Sequence, residues 1–186
     1  MSRYICLSGF FIAIVFAAAI LMVPNSAHAA SAADIDRDAD SALIKLYEKT
    51  PAAKELAKVA KGILVFPSIV KGGFIVGGQY GEGALRVGGK TVGYYNTAAA
   101  SFGLQAGAQT FGYALFFITD KALAYLQSSE GWEIGVGPSI VIVDAGIAKS
   151  LTTTTAKSDI YAFFFDQKGL MAGMGIQGSK ITKIEK

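Results

Sequence analysis

Glycines interleaved with strand-forming residues between Ala60 and Gly83 constrain the fold of this chain more than any other feature. The stretch reads AKGILVFPSIVKGGFIVGGQYGEG, so apolar residues such as Phe74 and Val76 stand between pairs of glycines. Glycine has no Cβ, and it marks places where two backbones approach closely or a sheet bends sharply. A flexible linker would lack the apolar residues. The stretch therefore predicts a tightly curved β-sheet.

Two helices are predicted ahead of this sheet. Apolar residues recur at helical spacing between Ile35 and Tyr47, which predicts a first helix over residues 36–49. Thr50 followed by Pro51 is typical of an N-cap with proline at the first helical position, so a second helix is predicted over residues 51–61. Residues 30–61 thus form an N-terminal helical segment, and residues 62–186 form a β-rich domain.

The β-rich domain is predicted to contain many short strands. Their predicted positions are 63–66, 74–80, 84–87, 91–95, 98–119 (one bent strand or two), 132–143, 160–165 and a strand pair within 170–184. Gly88-Gly89 indicates a hairpin turn, and Asp120 to Leu126 indicates one short inserted helix. The pattern glycine, large apolar residue, any residue, alanine or valine, glycine recurs at 73–77, 103–107 and 169–173. The predicted class is α+β, with an antiparallel, barrel-like, glycine-rich curved sheet.

The first 29 residues are predicted to be a secretory signal peptide. Arg3 precedes an apolar run over residues 7–23, and Ala27-His28-Ala29 provides a small-x-small cleavage site. The alternative is an uncleaved membrane anchor, since the run is nearly long enough to span a bilayer. Cleavage would give a periplasmic or secreted protein. The only cysteine, Cys6, and the only histidine would leave with the signal peptide.

Composition narrows the classes of function. Losing Arg3 leaves 16 basic against 14 acidic residues, and a net charge near +2 argues against nucleic-acid binding. Without His or Cys in the mature chain, the usual nucleophile–histidine arrangements and zinc sites cannot form. The aspartates from Asp34 to Asp40 lack the glycine and glutamate of a calcium loop. A carboxylate pair such as Glu82 with Asp144 could do acid–base work, but carboxylates in a small domain are more often exposed or hydrogen-bonded, and we expect no enzyme, cofactor or metal.

The order and spacing of several motifs resemble the SYLF domain, a lipid-binding module also described as a yeast actin-patch-type domain. The resemblance covers most of the chain after Asp34. The motifs are the Ala60–Gly83 stretch, Gly103-Leu-Gln-Ala-Gly-Ala-Gln109, Gly137-Pro138, Asp159-Ile-Tyr161 and Gly169-Leu-Met-Ala-Gly173.

The resemblance implies binding to anionic lipids through basic residues on the N-terminal helices. The matching positions are Lys54, Lys58 and Lys61, which share a narrow arc of the second helix, and Lys71 near the sheet. From the residues alone, such a lysine stripe is more often a solvated helix face, and it is the resemblance that raises the lipid-binding interpretation to equal standing. An exported protein would meet neither actin nor, ordinarily, phosphoinositides. The expected partner is therefore an anionic phospholipid membrane surface, and any protein partner is undefined.

Two alternatives stay open at this stage. Short glycine-rich strands also fit a small outer-membrane β-barrel, although the continuously apolar runs 140–143 and 163–165 favour a packed core over alternating faces. The other alternative is a structural or adaptor protein of the cell envelope. Polar residues within the glycine-rich strands either line the sheet or form a buried hydrogen-bonding network. These residues are Gln79, Glu82, Gln105 and Gln109.

Overall fold

The computed structural model describes residues 30–169, 176 and 178–186. The predicted signal peptide lies outside these residues, as does the third glycine pattern after Gly169. The described helices are α1 (Ala32–Lys49), α2 (Pro51–Ala57), α3 (Asp120–Ser128) and α4 (Ala145–Ser150). The described strands are β1 (Gly62–Val87), β2 (Lys90–Phe117), β3 (Trp132–Glu133), β4 (Ile140–Val143), β5 (Ile160–Gly169) and β6 (Lys180–Ile184). None of the helices in these ranges is both long enough and apolar enough to cross a membrane.

One long antiparallel hairpin, β1 with β2, forms the framework of the fold. Its register runs from Gly62 opposite Phe117 to Val87 opposite Lys90. Gly88 and Gly89 have φ angles of 56° and 79°, as a primed hairpin turn requires, so the predicted turn is confirmed. The prediction of separate short strands over 63–95 was wrong in detail. Pro67 does not end β1, because a bulge opposite Gly112 takes it out of the hydrogen-bonded ladder.

β1 bends until its late half lies against its early half. A Cβ on Gly83 would collide with the backbone of Val65 and the ring of Phe66, and one on Gly81 would collide with Ser68 and Ile69. Only residues without a side chain permit these approaches. The sharp curvature predicted from the glycines is therefore confirmed.

The other edge of β2 carries two shorter strands. β6 pairs with residues 94–98 and β5 with residues 109–117, both antiparallel. β3 then extends β6, whereas β4 pairs with β5 in parallel. The sheet is thus mixed, which corrects the prediction of a wholly antiparallel one. The chain between β4 and β5 includes α4 and is long enough for the crossover that a parallel pair needs.

Residues 132–143, where the sheet was predicted to resume, do not run through it continuously. β3 and β4 occupy the two ends of this range, and turns separate them. Gly135 and Gly137 lie in these turns with φ angles of 110° and 88°, a conformation that ends regular pleating.

Hydrophobic residues pack on both faces of the curled sheet. The inner face carries Leu64, Phe66 and Phe117, which pack with Trp132 and with Leu126 of α3. The outer face carries Val65, Ala84, Ala114 and Phe116, which are covered by Ile35, Leu46 and Leu56 of α1 and α2. Successive residues of a strand point to opposite faces, so β1 serves both layers. The result is a sheet-dominated, barrel-like α+β domain, as predicted in outline.

The helix boundaries differ from the predicted ones where local bonds decide them. α1 begins at Ala32, because Ser31 Oγ accepts a hydrogen bond from the Asp34 amide. α2 ends at Ala57 and not at Lys61, because the Lys61 amide already donates to Phe117 O at 2.8 Å and enters the sheet. α3 begins at Asp120 as predicted. α4 was not predicted, although Asp144 caps it.

Candidate functional site

The helices α1 and α2, which cover the outer face of the sheet, are here called the helical layer. Three of the four predicted lipid-binding lysines lie at the end of this layer, between α2 and the start of β1. Lys54 and Lys58 are exposed on α2 and at its C-cap, and Lys61 is exposed just before β1. Lys58 Nζ lies 2.7 Å from Glu55 Oε1, and Lys61 Nζ lies 3.6 Å from Asp120 Oδ2. Within the described ranges Lys54 makes no ion pair. Acidic neighbours therefore offset part of the charge of this cluster.

The fourth lysine, Lys71, lies elsewhere. It stands nine residues beyond Gly62 on β1, about 30 Å of extended strand. Its partner across the hairpin is Gln109, which is only 3% exposed. Directly opposed residues of an antiparallel pair share a face, and the register from Ile69 and Phe111 puts Lys71 on the inner face. The helices α1 and α2 cover the outer face, so Lys71 does not join Lys54, Lys58 and Lys61.

An apolar groove, here called the helix groove, runs beside these lysines between α1, α2 and the β1–β2 turn. Its volume is about 760 Å³. Leu43, Ile44 and Tyr47 line it from α1, and Ala57, Lys58 and Ala60 line it from the opposite side. Ile44 is 58% exposed, and Val59 nearby is 37% exposed. The groove thus combines open apolar surface with the Lys58 side chain in its lining.

Arg86, at the edge of the helix groove, holds α1 on the sheet. Arg86 Nη2 lies 2.6 Å from Asp40 Oδ1 and donates to the Asp36 carbonyl at 2.9 Å. The Asp36 carboxylate accepts from Thr91 at 2.7 Å and from Tyr94 at 3.0 Å. The acidic run of α1 therefore docks the helix onto the hairpin. Among the described residues, no group of three or more His, Cys, Asp or Glu is placed to hold a metal ion.

The inner face carries buried polar pairs. Gln79 donates to Ser179 Oγ at 2.9 Å, and Tyr113 donates to Thr97 Oγ1 at 2.9 Å, with all four residues buried. Burial raises the pKa of the Tyr113 hydroxyl, which stays neutral and can donate. Gln79 therefore belongs to a buried hydrogen-bonded pair, which was one of the two arrangements expected for the polar residues of the glycine-rich strands.

The other polar residues of the glycine-rich strands behave differently. Gln109 is buried, and its Oε1 has no hydrogen-bond partner among the described residues. The Gln105 side chain lies outside the described set. Glu82 pairs with Lys186 at 2.8 Å, whereas Asp144 accepts from the Gly146 and Ile147 amides at 2.8 Å each. Each carboxylate of the predicted acid–base pair therefore has a separate structural partner.

A second groove, here called the α2–α4 groove, was missed by sequence reasoning. It has a volume of about 550 Å³ and lies between the α1–α2 junction, β4, α4 and β5. Phe163 and Val143 contribute apolar surface, and Lys49 and Lys149 lie among its lining residues. The one signal that could have revealed it is Asp144 ahead of Ala-Gly-Ile-Ala-Lys-Ser, which is typical of a capped helix.

These features define a small, sheet-dominated α+β domain whose candidate sites are surface grooves. Residues 98–186 match the Ysc84 family model, described as "Las17-binding protein actin regulator". These residues belong to the SYLF domain family, a family of lipid- and actin-patch-associated binding domains, so the predicted membership is confirmed over this part of the chain. The match begins inside β2, and the lysines at 54–71 precede it. No curated protein matches the chain.

Proposed function

We propose that this protein is an exported, non-catalytic module that associates with anionic phospholipid surfaces through basic residues of its helical layer. The observation that carries the proposal is the pairing of open apolar surface with cations at the helix groove. Exposed Ile44 and exposed Lys58 both line this groove, and exposed Val59 follows Lys58 in the chain. Interfacial helices bind membranes through this combination of buried apolar area and attraction to anionic headgroups.

The charges of this cluster set the expected strength of binding. Each lysine close to an anionic surface contributes about 1 kcal/mol. Lys58 and Lys61 have carboxylate partners, so their contributions are partly offset, and Lys54 is the main electrostatic contact. Association driven by so few charges is weak and is screened by salt. The apolar residues of the helix groove then supply the part of the affinity that salt does not remove.

Liposome co-sedimentation tests the proposal with the chain from Ala30 onward, which contains every described residue. We expect binding to phosphatidylglycerol or cardiolipin vesicles, weaker binding at high salt, and no binding to neutral phosphatidylcholine vesicles. The variant Lys54→Gln/Lys58→Gln/Lys61→Gln should lose most of this binding. It removes the cations without placing new acidic groups beside Glu55 or Asp120.

A matched control is the variant Lys121→Gln/Lys157→Gln/Lys183→Gln, which removes three exposed lysines outside the helical layer. It changes the net charge by the same amount and should keep near-normal binding. Equal losses in both variants would mean that overall charge, and not the helical cluster, drives association. Folded protein that binds neither type of vesicle would reject the membrane function, and the search would turn to a protein partner.

A further inference from the structure

The α2–α4 groove has an apolar floor of a size suited to a small ligand. Phe163 is 2% exposed and packs edge-on against Phe116, with ring centroids 5.0 Å apart, so the floor of the groove is part of the packed core. Ala52 from α2, Val143 from β4 and Ala148 from α4 form the sides. A volume of about 550 Å³ falls within the range of small-molecule pockets.

Hydrogen-bond donors stand at the edge of this floor. Thr50 occupies the N-cap position of α2, yet its hydroxyl makes no capping hydrogen bond, and the residue lines the groove. The hydroxyl oxygen of an N-cap threonine ordinarily accepts a hydrogen bond from a backbone amide of the first helical turn. Lys149, in the last turn of α4, is exposed, and within the described residues it makes no ion pair.

The acidic groups near the groove are already engaged. Asp144 accepts from two amides of α4. Asp166 accepts from Lys49 Nζ at 3.1 Å, and this bond, together with Lys45 and Lys168 nearby, lowers the pKa of its carboxyl. The Asp144 carboxylate is thus hydrogen-bonded to backbone amides, and the Asp166 carboxylate is paired with Lys49. Lys149 and the Thr50 hydroxyl are left to meet a ligand.

We propose that the α2–α4 groove binds one single-chain carboxylate amphiphile of the fatty-acid type. The alkyl chain lies over Phe163 and between Ala52 and Ala148. The carboxylate accepts hydrogen bonds from Lys149 Nζ and from the Thr50 hydroxyl. This site lies apart from the helix groove and takes a monomeric ligand, so it is independent of the proposed contact with a membrane surface.

Sodium dodecanoate, titrated below its micelle concentration into ¹⁵N-labelled chain from Ala30 onward, tests the site by amide chemical-shift mapping. Saturable shifts should cluster at Ala52, Ala148, Lys149 and Phe163. Decanoate should bind roughly tenfold more weakly, because it buries two fewer methylenes. Dodecyltrimethylammonium carries the same alkyl chain with a positive charge, and it should bind far more weakly at this place.

Two variants locate the ligand. Ala148→Trp fills the groove and should abolish the shifts, while Lys149→Glu, an exposed change that leaves the core intact, should weaken dodecanoate binding about fivefold. Lys157→Glu is the matched control, since Lys157 is an exposed lysine outside the groove, and it should not change the affinity.

Three results would overturn the proposal. They are the absence of saturable shifts, equal affinity for the cationic amphiphile, and a Lys149→Glu affinity equal to that of Lys157→Glu. Shifts at Leu43 and Tyr47 that vanish in Lys54→Gln/Lys58→Gln would place the ligand in the helix groove instead. Vesicle binding is measured separately, so failure of this site leaves the membrane result intact.

Discussion

Lys186 Nζ lies 2.8 Å from Glu82 Oε2, and these two side chains are only 10% and 14% exposed. The same ammonium donates to the Ala30 carbonyl at 3.0 Å. The Tyr80 hydroxyl donates to the other oxygen of Glu82 at 2.9 Å. One lysine after β6 therefore joins the late half of β1 to the residue that precedes the helical layer.

Removing this lysine should destabilise the fold. Lys186→Met leaves a largely buried carboxylate without its cation, and we expect the free energy of unfolding to fall by about 2 kcal/mol. The double variant Glu82→Gln/Lys186→Met should cost less than the sum of the single variants, because no buried charge is stranded. Urea denaturation measures all three, with exposed Lys183→Met as control. A Lys186→Met stability equal to that control would contradict the prediction.

The second prediction concerns Gly83, which lies where the two halves of β1 approach each other closely. A Cβ there would meet the Val65 carbonyl and the Phe66 ring, so Gly83→Ala should lower the free energy of unfolding by about 3 kcal/mol. Gly78 lies on the same strand, and its nearest neighbour to an added Cβ is Ala99 O at 3.6 Å, an ordinary contact. Gly78→Ala should therefore be tolerated. Thermal unfolding compares the two, and similar melting temperatures would mean that the halves of β1 do not pack this closely.

Local chemistry explains which parts of the fold could be predicted. The backbone preferences of Gly88-Gly89 predict a turn, and those of Thr50-Pro51 predict the start of a helix. The structure has both features. Pro67 carries an equally strong local signal for a break. Its neighbours, however, are paired on both sides of a bulge, and strand pairing is a long-range property that the local sequence does not encode.

The site was less predictable than the fold for the same reason. Lysine spacing predicted one helical arc for Lys54, Lys58 and Lys61, because helical periodicity is local. The helix ends at Ala57 with Lys58 as its C-cap, and Lys61 is bonded to the sheet, so the arc does not extend to Lys61. Nothing near Lys71 in the sequence indicates that its face is opposite to that of the helices. That depends on its register with Gln109. The α2–α4 groove likewise combines segments that are about a hundred residues apart, such as Ala52 and Phe163.

Asp159 gives the fold a dependence on acid. The Ser139 amide and hydroxyl donate to Asp159 Oδ2 at 3.0 Å and 2.9 Å, and Thr119 donates to Oδ1 at 3.0 Å. These bonds, led by that from the Ser139 amide, lower the pKa of the Asp159 carboxyl. A carboxyl whose pKa is lower in the folded state stabilises the fold above its unfolded pKa, and this contribution is lost as pH falls through the folded pKa.

The variant Asp159→Asn should therefore flatten the acid side of the stability curve. It should be less stable than the wild type at pH 7, and the difference should shrink as the pH falls below the ordinary pKa of an aspartate and through the lowered pKa of the folded state. Urea denaturation across this range measures the two curves. Parallel curves would show that the ionised form of Asp159 receives no special stabilisation from Ser139 and Thr119.

The carboxylates that partner the lysines of the helical layer provide the sharpest check on the membrane proposal. Glu55 Oε1 lies 2.7 Å from Lys58 Nζ, and Asp120 Oδ2 lies 3.6 Å from Lys61 Nζ, with all four side chains substantially exposed. Exposed pairs like these add little to stability, so Glu55→Gln and Asp120→Asn should fold normally. Each frees a lysine to face anionic headgroups and removes a like charge that repels them.

Each of these two variants should bind anionic vesicles about two- to fivefold more tightly than the wild type at low salt, given about 1 kcal/mol per charge near the surface. The gain should disappear at high salt, because exposed charges are then screened. Glu130→Gln removes an exposed carboxylate between α3 and β3, and it controls for the change in net charge. If Glu130→Gln raises affinity as much as Asp120→Asn does, the membrane contact does not involve Lys61, and the orientation proposed for the helical layer is wrong.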